Sequence, residues 1–504
     1  MGDKRLTLVA TILASTVAFV DSTVVNVALP ALRADLDADL AGQQWVVEAY
    51  LLTLSSLLLV GGSLGDVVGR RRVFVAGTAA FGLTSALCAV APSVEALVAA
   101  RALQGVAGAL LVPSSLAIIT ATFGEGERGA AIGTWTAWTS VGIVVGPLVG
   151  GALVDAISWR LVFWVNVPLV AATLLLARAI AESADPQASR RIDWPGALLC
   201  ALAFGGVVYA LIEEPDRGFA ATGVWVPLAL GLVAGTLFLV RERVAAAPMV
   251  PLRLFRNRNF SATNLATFAI YAGLGALTFF SALFVQQVAG YTAFEAGAAF
   301  APISLLLFAL SRRFGALAER IGSRTLMTAG PAVAGVGGLL LLRVSADAAY
   351  VTEVLPAVLV FGLGLAMTVA PLTATVLGAV EQRHAGIASG INNAVARVAG
   401  LVAIAAVGAV VSAAFSAELD DRLPSAASPA VRAAADDAKE RPLAAVDDDE
   451  LAPAERDALA AAADDAGVAG FHAGMAAVAA LLFIGAGISA AGVRNPRRAE
   501  APVA

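Results

Sequence analysis

Cysteine, histidine, lysine and methionine are all scarce in this chain of 504 residues. The two cysteines, Cys88 and Cys200, both lie in apolar runs, which excludes a disulfide framework and a cysteine-based metal site. The two histidines, His384 and His472, are far apart, so histidine-based catalysis is not expected. No cluster of His, Cys and acids has the spacing of a metal or nucleophile site, and no P-loop is present. The chain is therefore expected to be no enzyme, to hold no metal and no cofactor, and to bind neither nucleotide nor nucleic acid. Charge is also sparse: 14% of residues are charged, where a soluble domain has roughly a quarter. What remains is apolar. Hydrophobic residues make up 59% and the mean hydropathy is +0.83. These values exclude an ordinary soluble protein and a disordered one. They leave an all-α polytopic membrane protein whose main partner is the lipid bilayer.

Apolar stretches of about 20 residues, enough to cross the hydrocarbon core, occur fourteen times. They cover 6–29, 44–64, 73–91, 94–119, 130–153, 160–180, 194–213, 222–241, 261–287, 296–314, 325–343, 352–377, 386–413 and 468–492. The first carries Asp21 and lacks a small-residue cleavage site, so it is not a signal peptide. With the N-terminus placed in the cytoplasm, the inner segments hold 22 basic residues, among them Arg70, Arg71, Arg72, Arg190, Arg191, Arg383, Arg497 and Arg498. The short outer loops hold only Arg33, Arg160, Arg217 and Arg343. The positive-inside rule then puts both termini in the cytoplasm. The Arg and Ala bias (only Lys4 and Lys439 are lysines) fits a GC-rich bacterial genome, hence a bacterial plasma membrane.

Segment 414–467 falls outside in this topology and carries 14 acidic and 5 basic residues, so it alone makes the chain acidic. It reads as a solvated spacer or as a lid that attracts cations. Pro453 is placed to start a short surface helix.

One internal repeat is visible. Gly62, Leu64, Asp66, Gly69 and Arg71 recur as Gly315, Leu317, Glu319, Gly322 and Arg324, offset by 253 residues. Both loops are cytoplasmic, which makes the halves parallel repeats, a transporter architecture with its site between the halves. In each loop the acid can meet a helix N-terminus or pair with arginine, so Asp66, Arg70, Arg71, Glu319, Arg320 and Arg324 are expected to latch one conformation. A plain positive-inside loop explains the arginines but not the matched spacing.

With these loops in hand, the sequence resembles the major facilitator superfamily, and more narrowly its fourteen-span drug:proton antiporters, the QacA/EmrB-like group. The loop at 62–72 is similar to the superfamily signature, except that Val67 stands where Arg or Lys is usual; Arg320 keeps that charge in the second copy. Asp21-Ser-Thr-Val-Val-Asn26 with Pro30 resembles the group's first-span motif, and Arg101 with Gln104, Gly105 and Gly108 its fourth. Gly142, Gly146, Pro147, Gly150 and Gly151 match the motif associated with antiport. Trp159 to Pro168 and the Arg397 segment also fit. The resemblance implies a major facilitator fold of two six-helix bundles plus two inserted helices, fourteen in all. Residues 1–185 would form the first bundle, 190–245 the inserted pair, 255–493 the second bundle with loop 414–467, and 494–504 a cytoplasmic tail. It also implies a monomer.

Four charged residues lie well inside spans, away from their ends. Asp21 lies nine positions before Pro30, roughly 13 Å from the outer end at 1.5 Å per residue, and a carboxylate there is costly and functional by default. It reads as a proton carrier, or as an acid fixed by an interhelical hydrogen bond. Arg101, nine positions after Pro92, has matching depth and reads as its partner, or as a clamp on backbone carbonyls. Glu48 is a second proton or cation site, or a residue that snorkels outward. Arg397, near mid-membrane, meets anionic substrate groups or structures the second half. The glycines at 142, 146 and 150 form a close-packing face, and Pro147 favours a kink, which suits a rocking interface or ordinary small-residue packing.

Polar and aromatic residues within spans give a candidate cavity lining: Asn26, Tyr50, Gln104, Trp138, Asn166, Asn264, Tyr271, Gln286, Gln287, Asn392, Asn393 and Arg397. Singly, each reads as a packing hydrogen bond; together they suggest a mixed pocket for a small molecule. The expected function is proton-coupled export of hydrophobic, cationic small molecules by alternating access. A lipid or natural-product exporter on the same fold is the alternative. A membrane sensor or scaffold is weaker, because no cytoplasmic loop is domain-sized.

Overall fold

A backbone that crosses lipid must satisfy its own hydrogen bonds, and this chain does so with helices alone; no strand occurs among the described residues. The computed structural model describes residues 3–184, 193–245, 248, 250–380, 385–423, 427–443 and 451–495. Arg190, Arg191, Arg383, His384, Arg497 and Arg498, most of the tail 494–504, and the Glu319 side chain lie outside the described residues.

The first group of helices is α1 (Lys4–Leu36), α2 (Leu40–Val68), α3 (Arg70–Ala89), α4 (Val94–Thr122), α5 (Glu125–Ala156), α6 (Leu161–Trp164) and α7 (Asn166–Leu176). Next come α8 (Trp194–Arg217) and α9 (Thr222–Val244). The last group is α10 (Arg258–Gln287), α11 (Ala293–Ile321), α12 (Ser323–Leu340), α13 (Leu355–Gly378), α14 (Ala385–Arg422), α15 (Pro429–Glu440) and α16 (Pro453–Gly492). Side-chain caps start many of them. Asp39 accepts from Gly42 N–H, Ser93 from Ala96 N–H, and Thr292 with Glu295 makes a capping box. α6 and α7 form one broken span. Pro168 has no N–H to offer the Trp164 carbonyl, and the break falls there.

Among the described residues twelve helices are long and apolar enough to cross a membrane, and a thirteenth joins them if the two parts of α2, bent by 50°, count as one span. The expected span 130–153 falls in α5, of which only Val145–Ala156 registers, as a shorter apolar helix. The chain is thus a helical multi-pass protein with twelve or thirteen candidate spans; fourteen remains an expectation.

Within lipid, apolar contact alone drives little association, so close packing of small residues does more. α2 and α4 show this: Thr53 Oγ1 of α2 donates to Ala102 O of α4 at 2.8 Å. α8 and α9 pack on each other, and α8 also packs on α2 and α14 through Val208, Ile212, Leu401 and Ala405.

The last spans depart from expectation. α14 and α16 have 38 and 40 residues, about 57 and 60 Å at 1.5 Å per residue. That is nearly twice the hydrocarbon thickness of ~30 Å. Pro453 starts no separate surface helix; it starts α16 itself, because alanine-rich sequence keeps a helix going beyond the lipid. The projecting ends and α15 enclose their own small apolar cluster, including Phe415, Leu419, Ala435 and Leu459. The described part of segment 414–467 is therefore a folded helical knob. After α15 the chain returns to the bundle. Arg441 pairs with Asp37 at 3.5 Å, Pro442 sits among Ala41, Ile212 and Gly408, and Leu443 is buried at φ +69.

The contacts between first and last groups gather at the end opposite the N-terminus, here the distal end. Asp155 of α5 accepts from Ala293 N–H (3.0 Å) and Phe294 N–H (2.8 Å), capping α11. Gln287 donates to Gln43 at 3.2 Å, and Gln44 donates to Ile404 O at 3.3 Å. The distal end is closed.

Candidate functional site

Asp21 is fully buried, with 0% exposure, and Arg101 beside it is 1% exposed. Their depths agree because α1 and α4 are regular helices counted from the same end. Arg101 Nη1 meets Asp21 Oδ2 at 2.5 Å. Gln104 Nε2 and Asn166 Nδ2 each donate to Asp21 Oδ1 at 2.9 Å. The carboxylate thus has three donors, from α4 twice and α7 once. Arg101 also donates to Gln104 Oε1 at 2.7 Å and, through Nε, to Val46 O at 3.0 Å. Its guanidinium stacks over the Tyr50 ring at 4.4 Å. Both readings of Arg101 therefore describe real contacts, since it pairs with the acid and clamps a carbonyl at once. Ser85 Oγ accepts from Asn166 Nδ2 at 3.0 Å, a contact sequence reasoning missed.

A cavity of about 330 Å³ lies between the two groups of helices, walled by α1, α2 and α5 on one side and by α10, α11 and α14 on the other. From the expected lining it contains Asn26 and Arg397, with Pro147 from the antiport-like motif. Asp21 is not in its wall; Ser22, Thr23 and Asn26 of the same helix are. Among the described residues no acidic side chain lines it. Glu48 is also 0% exposed and outside the lining, and among the described residues both of its carboxylate oxygens lack a hydrogen-bond partner.

The other expected lining residues are placed elsewhere. Tyr50, Gln104 and Asn166 belong to the Asp21 cluster: the Tyr50 hydroxyl donates to Ala18 O at 3.3 Å and its ring lies under Arg101. Asn392 donates to Asn264 Oδ1 at 3.1 Å and to Thr267 Oγ1 at 2.8 Å, joining α14 to α10. Gln286 donates to Ala282 O at 3.1 Å, while Gln287 reaches Gln43. Asn393 bonds its own helix at Ser389 O, Tyr271 packs at the edge of the main core, and Trp138 is 58% exposed.

The glycine motif of α5 has two faces. A Cβ at Gly142 would stand 2.8 Å from Thr16 Cγ2, and one at Gly146 2.7 Å from Thr23 Oγ1; Gly150 lies as close to Val24. These three let α5 press on α1. Gly151 instead faces α11, where a Cβ would stand 2.5 Å from Ala293 O. We expect Gly151→Ala to force α5 and α11 apart at the distal end. A cysteine placed at Thr278 in the cavity wall would then react several-fold faster with a membrane-impermeant thiol reagent added from the distal side. An unchanged rate would show that this crossing does not hold the end shut.

The repeated loops have matching local structure. Gly69 and Gly322 both adopt positive φ, +121° and +90°, and each precedes a helix N-terminus. Each turn is closed by a side chain from beyond the last span of its own group. Glu182 Oε1 accepts from Arg71 N–H at 3.0 Å, and Asn495 Oδ1 accepts from Arg324 N–H at 3.0 Å. Asp66 near the end of α2 pairs across the Gly69 turn with Arg70 at the start of α3, at 2.8 Å, and Arg71 Nε donates to Ala177 O. Gly62 and Gly315 lie near Pro113 and Ala370, in ordinary contact distance, and Arg320 is exposed. The contacts seen for Asp66, Arg70 and Arg71 stay within the first group. Glu182 escaped sequence reading, since it shares its inner segment with Asp185 and Asp193 and nothing in the sequence singles it out.

Residues 11–422 match the sequence profile of the Major Facilitator Superfamily. The chain is 35% identical over 421 residues to the multidrug resistance protein Stp of Mycobacterium tuberculosis, covering 83% of this chain and 78% of that protein. It is 35% identical over 400 residues to a methylenomycin A resistance protein of Bacillus subtilis, covering 78% of this chain and 84% of the relative. Among solved structures, a bacterial homologue of the human lysosomal transporter Spinster, inward-facing and unoccupied, superposes with a TM-score of 0.67 at 18% identity. That match covers 98% of this chain and 99% of the other.

Proposed function

Because the chain belongs to the major facilitator superfamily, a family of transporters and not of enzymes, we propose that it exports hydrophobic small molecules against inward proton flow. Drug-efflux relatives support the exporter reading, since both named above are resistance proteins. Proton coupling is our inference, and one observation carries it. Asp21 is sealed inside the first group while its neighbours Ser22, Thr23 and Asn26 line the cavity from the same helix.

Alternation of proton and cationic substrate on one acid would require that acid in the cavity wall, where Asp21 is absent. The geometry favours coupling through a helix instead. Ionised Asp21 balances Arg101 and takes three hydrogen bonds. Protonation leaves Arg101 without a counter-charge in a low-dielectric interior, which favours repacking of α1 against α4 and α7. α1 bears on the glycine face of α5, and α5 carries Asp155 to the cap of α11 at the closed end. The proton thereby gives the two conformations different energies, as coupled transport requires. Glu48, buried without a partner, is proposed as a second proton site. The loops around Asp66 and Glu319 are proposed to latch the opposite conformation.

We place the protein in a bacterial plasma membrane as a monomer, with fourteen spans, both termini in the cytoplasm and the helical knob outside. The two bundles and the inserted pair would then follow the division 1–185, 190–245 and 255–493. The test is proton release in proteoliposomes under an imposed pH gradient, with ethidium or pyrenesulfonate added as probe. Probe-dependent flux in the wild-type protein supports antiport. Its absence with both probes overturns the coupling.

A further inference from the structure

Among the described residues the cavity carries one formal charge, and it is positive. Arg397 of α14 lines it and makes no hydrogen bond or ion pair among the described residues; its nearest named partner is the Phe19 ring, 5.9 Å from the guanidinium carbon. The acids at hand are withheld. Asp21 is saturated by Arg101, Gln104 and Asn166, and neither it nor Glu48 reaches the wall.

The neutral polar groups lean the same way. Ser22 donates its hydroxyl to Phe19 O at 2.7 Å, Thr23 to Val20 O at 3.0 Å and Thr278 to Leu274 O at 3.0 Å, each on its own helix. Their protons are spent locally; the Asn26 amide and the Ser304 hydroxyl also line the space, and among the described residues Arg397 is its one charged donor. A guanidinium inside a membrane protein calls for an anion or a carbonyl-rich partner. A cationic guest would instead stand beside an uncompensated like charge where screening is weak.

We propose that this cavity takes compounds in which an apolar body carries an anionic head group, a carboxylate or sulfonate, held by Arg397. This rests on reading the cavity as the transport site, and it replaces the cationic substrate expected from sequence. Arg397 then sets substrate charge, while Asp21 on the far side of α1 carries the proton.

Equilibrium binding tests it apart from coupling, because no gradient is needed. The full chain in neutral phosphatidylcholine nanodiscs would be titrated with three pyrene probes of similar size: pyrenesulfonate, pyrenemethanol and pyrenylmethyl-trimethylammonium. Empty nanodiscs correct for partition. The sulfonate is expected to bind tenfold or more tighter than the ammonium, with the alcohol between. Arg397→Gln should bring the three within about threefold, and Arg397→Lys should keep their order. Ammonium binding as tight as sulfonate in the wild-type protein would overturn the proposal whatever the variants do, as would an anion preference that survives Arg397→Gln. Proton flux that fails while the charge order holds would instead remove the coupling and leave this site standing.

Discussion

Asp21→Asn is expected to cut probe-dependent proton flux to less than about one hundredth of wild type, the loss typical when a positioned proton carrier is removed. Asparagine keeps the size of the side chain, and its one carbonyl oxygen can still accept from Gln104 and Asn166, which share Asp21 Oδ1, while its amide nitrogen stands where Oδ2 met Arg101. What it loses is the ability to exchange a proton. Because Asp21 lies outside the cavity wall, probe affinity should stay within a few-fold of wild type. The pair of measurements separates two mechanisms. Lost flux with retained binding fits coupling through α1. Lost flux with lost binding would mean that the acid meets the substrate directly in another conformation. Flux that persists would move the proton site to Glu48.

The second large effect is on stability. Arg101→Leu removes a cation that is 1% exposed and bonded to Asp21, Gln104 and Val46 O. Breaking one side of a buried pair costs about 3–5 kcal/mol, because the other charge is left uncompensated. Asp21 would keep only two neutral amide donors, and the Val46 carbonyl would lose its side-chain donor. Adding Asp21→Asn to Arg101→Leu should therefore recover more than half of the loss. Denaturation of the detergent-solubilised single and double variants reads both quantities. If the double variant is no more stable than Arg101→Leu alone, the penalty comes from lost stacking on Tyr50 and not from stranded charge.

The depth of these two residues was readable from sequence, because counting along regular helices from Pro30 and Pro92 is enough to set them level. Which way each helix turns was not. Gln104 sits three residues from Arg101 and so on its face, a spacing that could have moved it from the cavity list to the Asp21 cluster. Asn166 had no comparable signal, since its meeting with Asp21 bridges 145 positions. Asn264 and Asn392 show the other limit: interhelical glue and cavity lining use the same residue types. In a membrane protein the lipid face is apolar too, so Trp138, 58% exposed, carries no periodic mark that distinguishes outside from cavity. Helix ends were misread where alanine runs on. Composition told where lipid would stop at α16 but not where the helix would.

The closure of Gly69 by Glu182 and of Gly322 by Asn495 also bears on the order in which the protein is made. The bond from Arg71 N–H spans 111 positions, and the bond from Arg324 N–H spans 171. At about 5–20 residues per second, the first turn waits roughly 5–20 s after its own synthesis for the residue that closes it. Neither turn needs anything from the other group. The first group can therefore be locked while the second is still on the ribosome, and the second closes only with Asn495, three residues past α16.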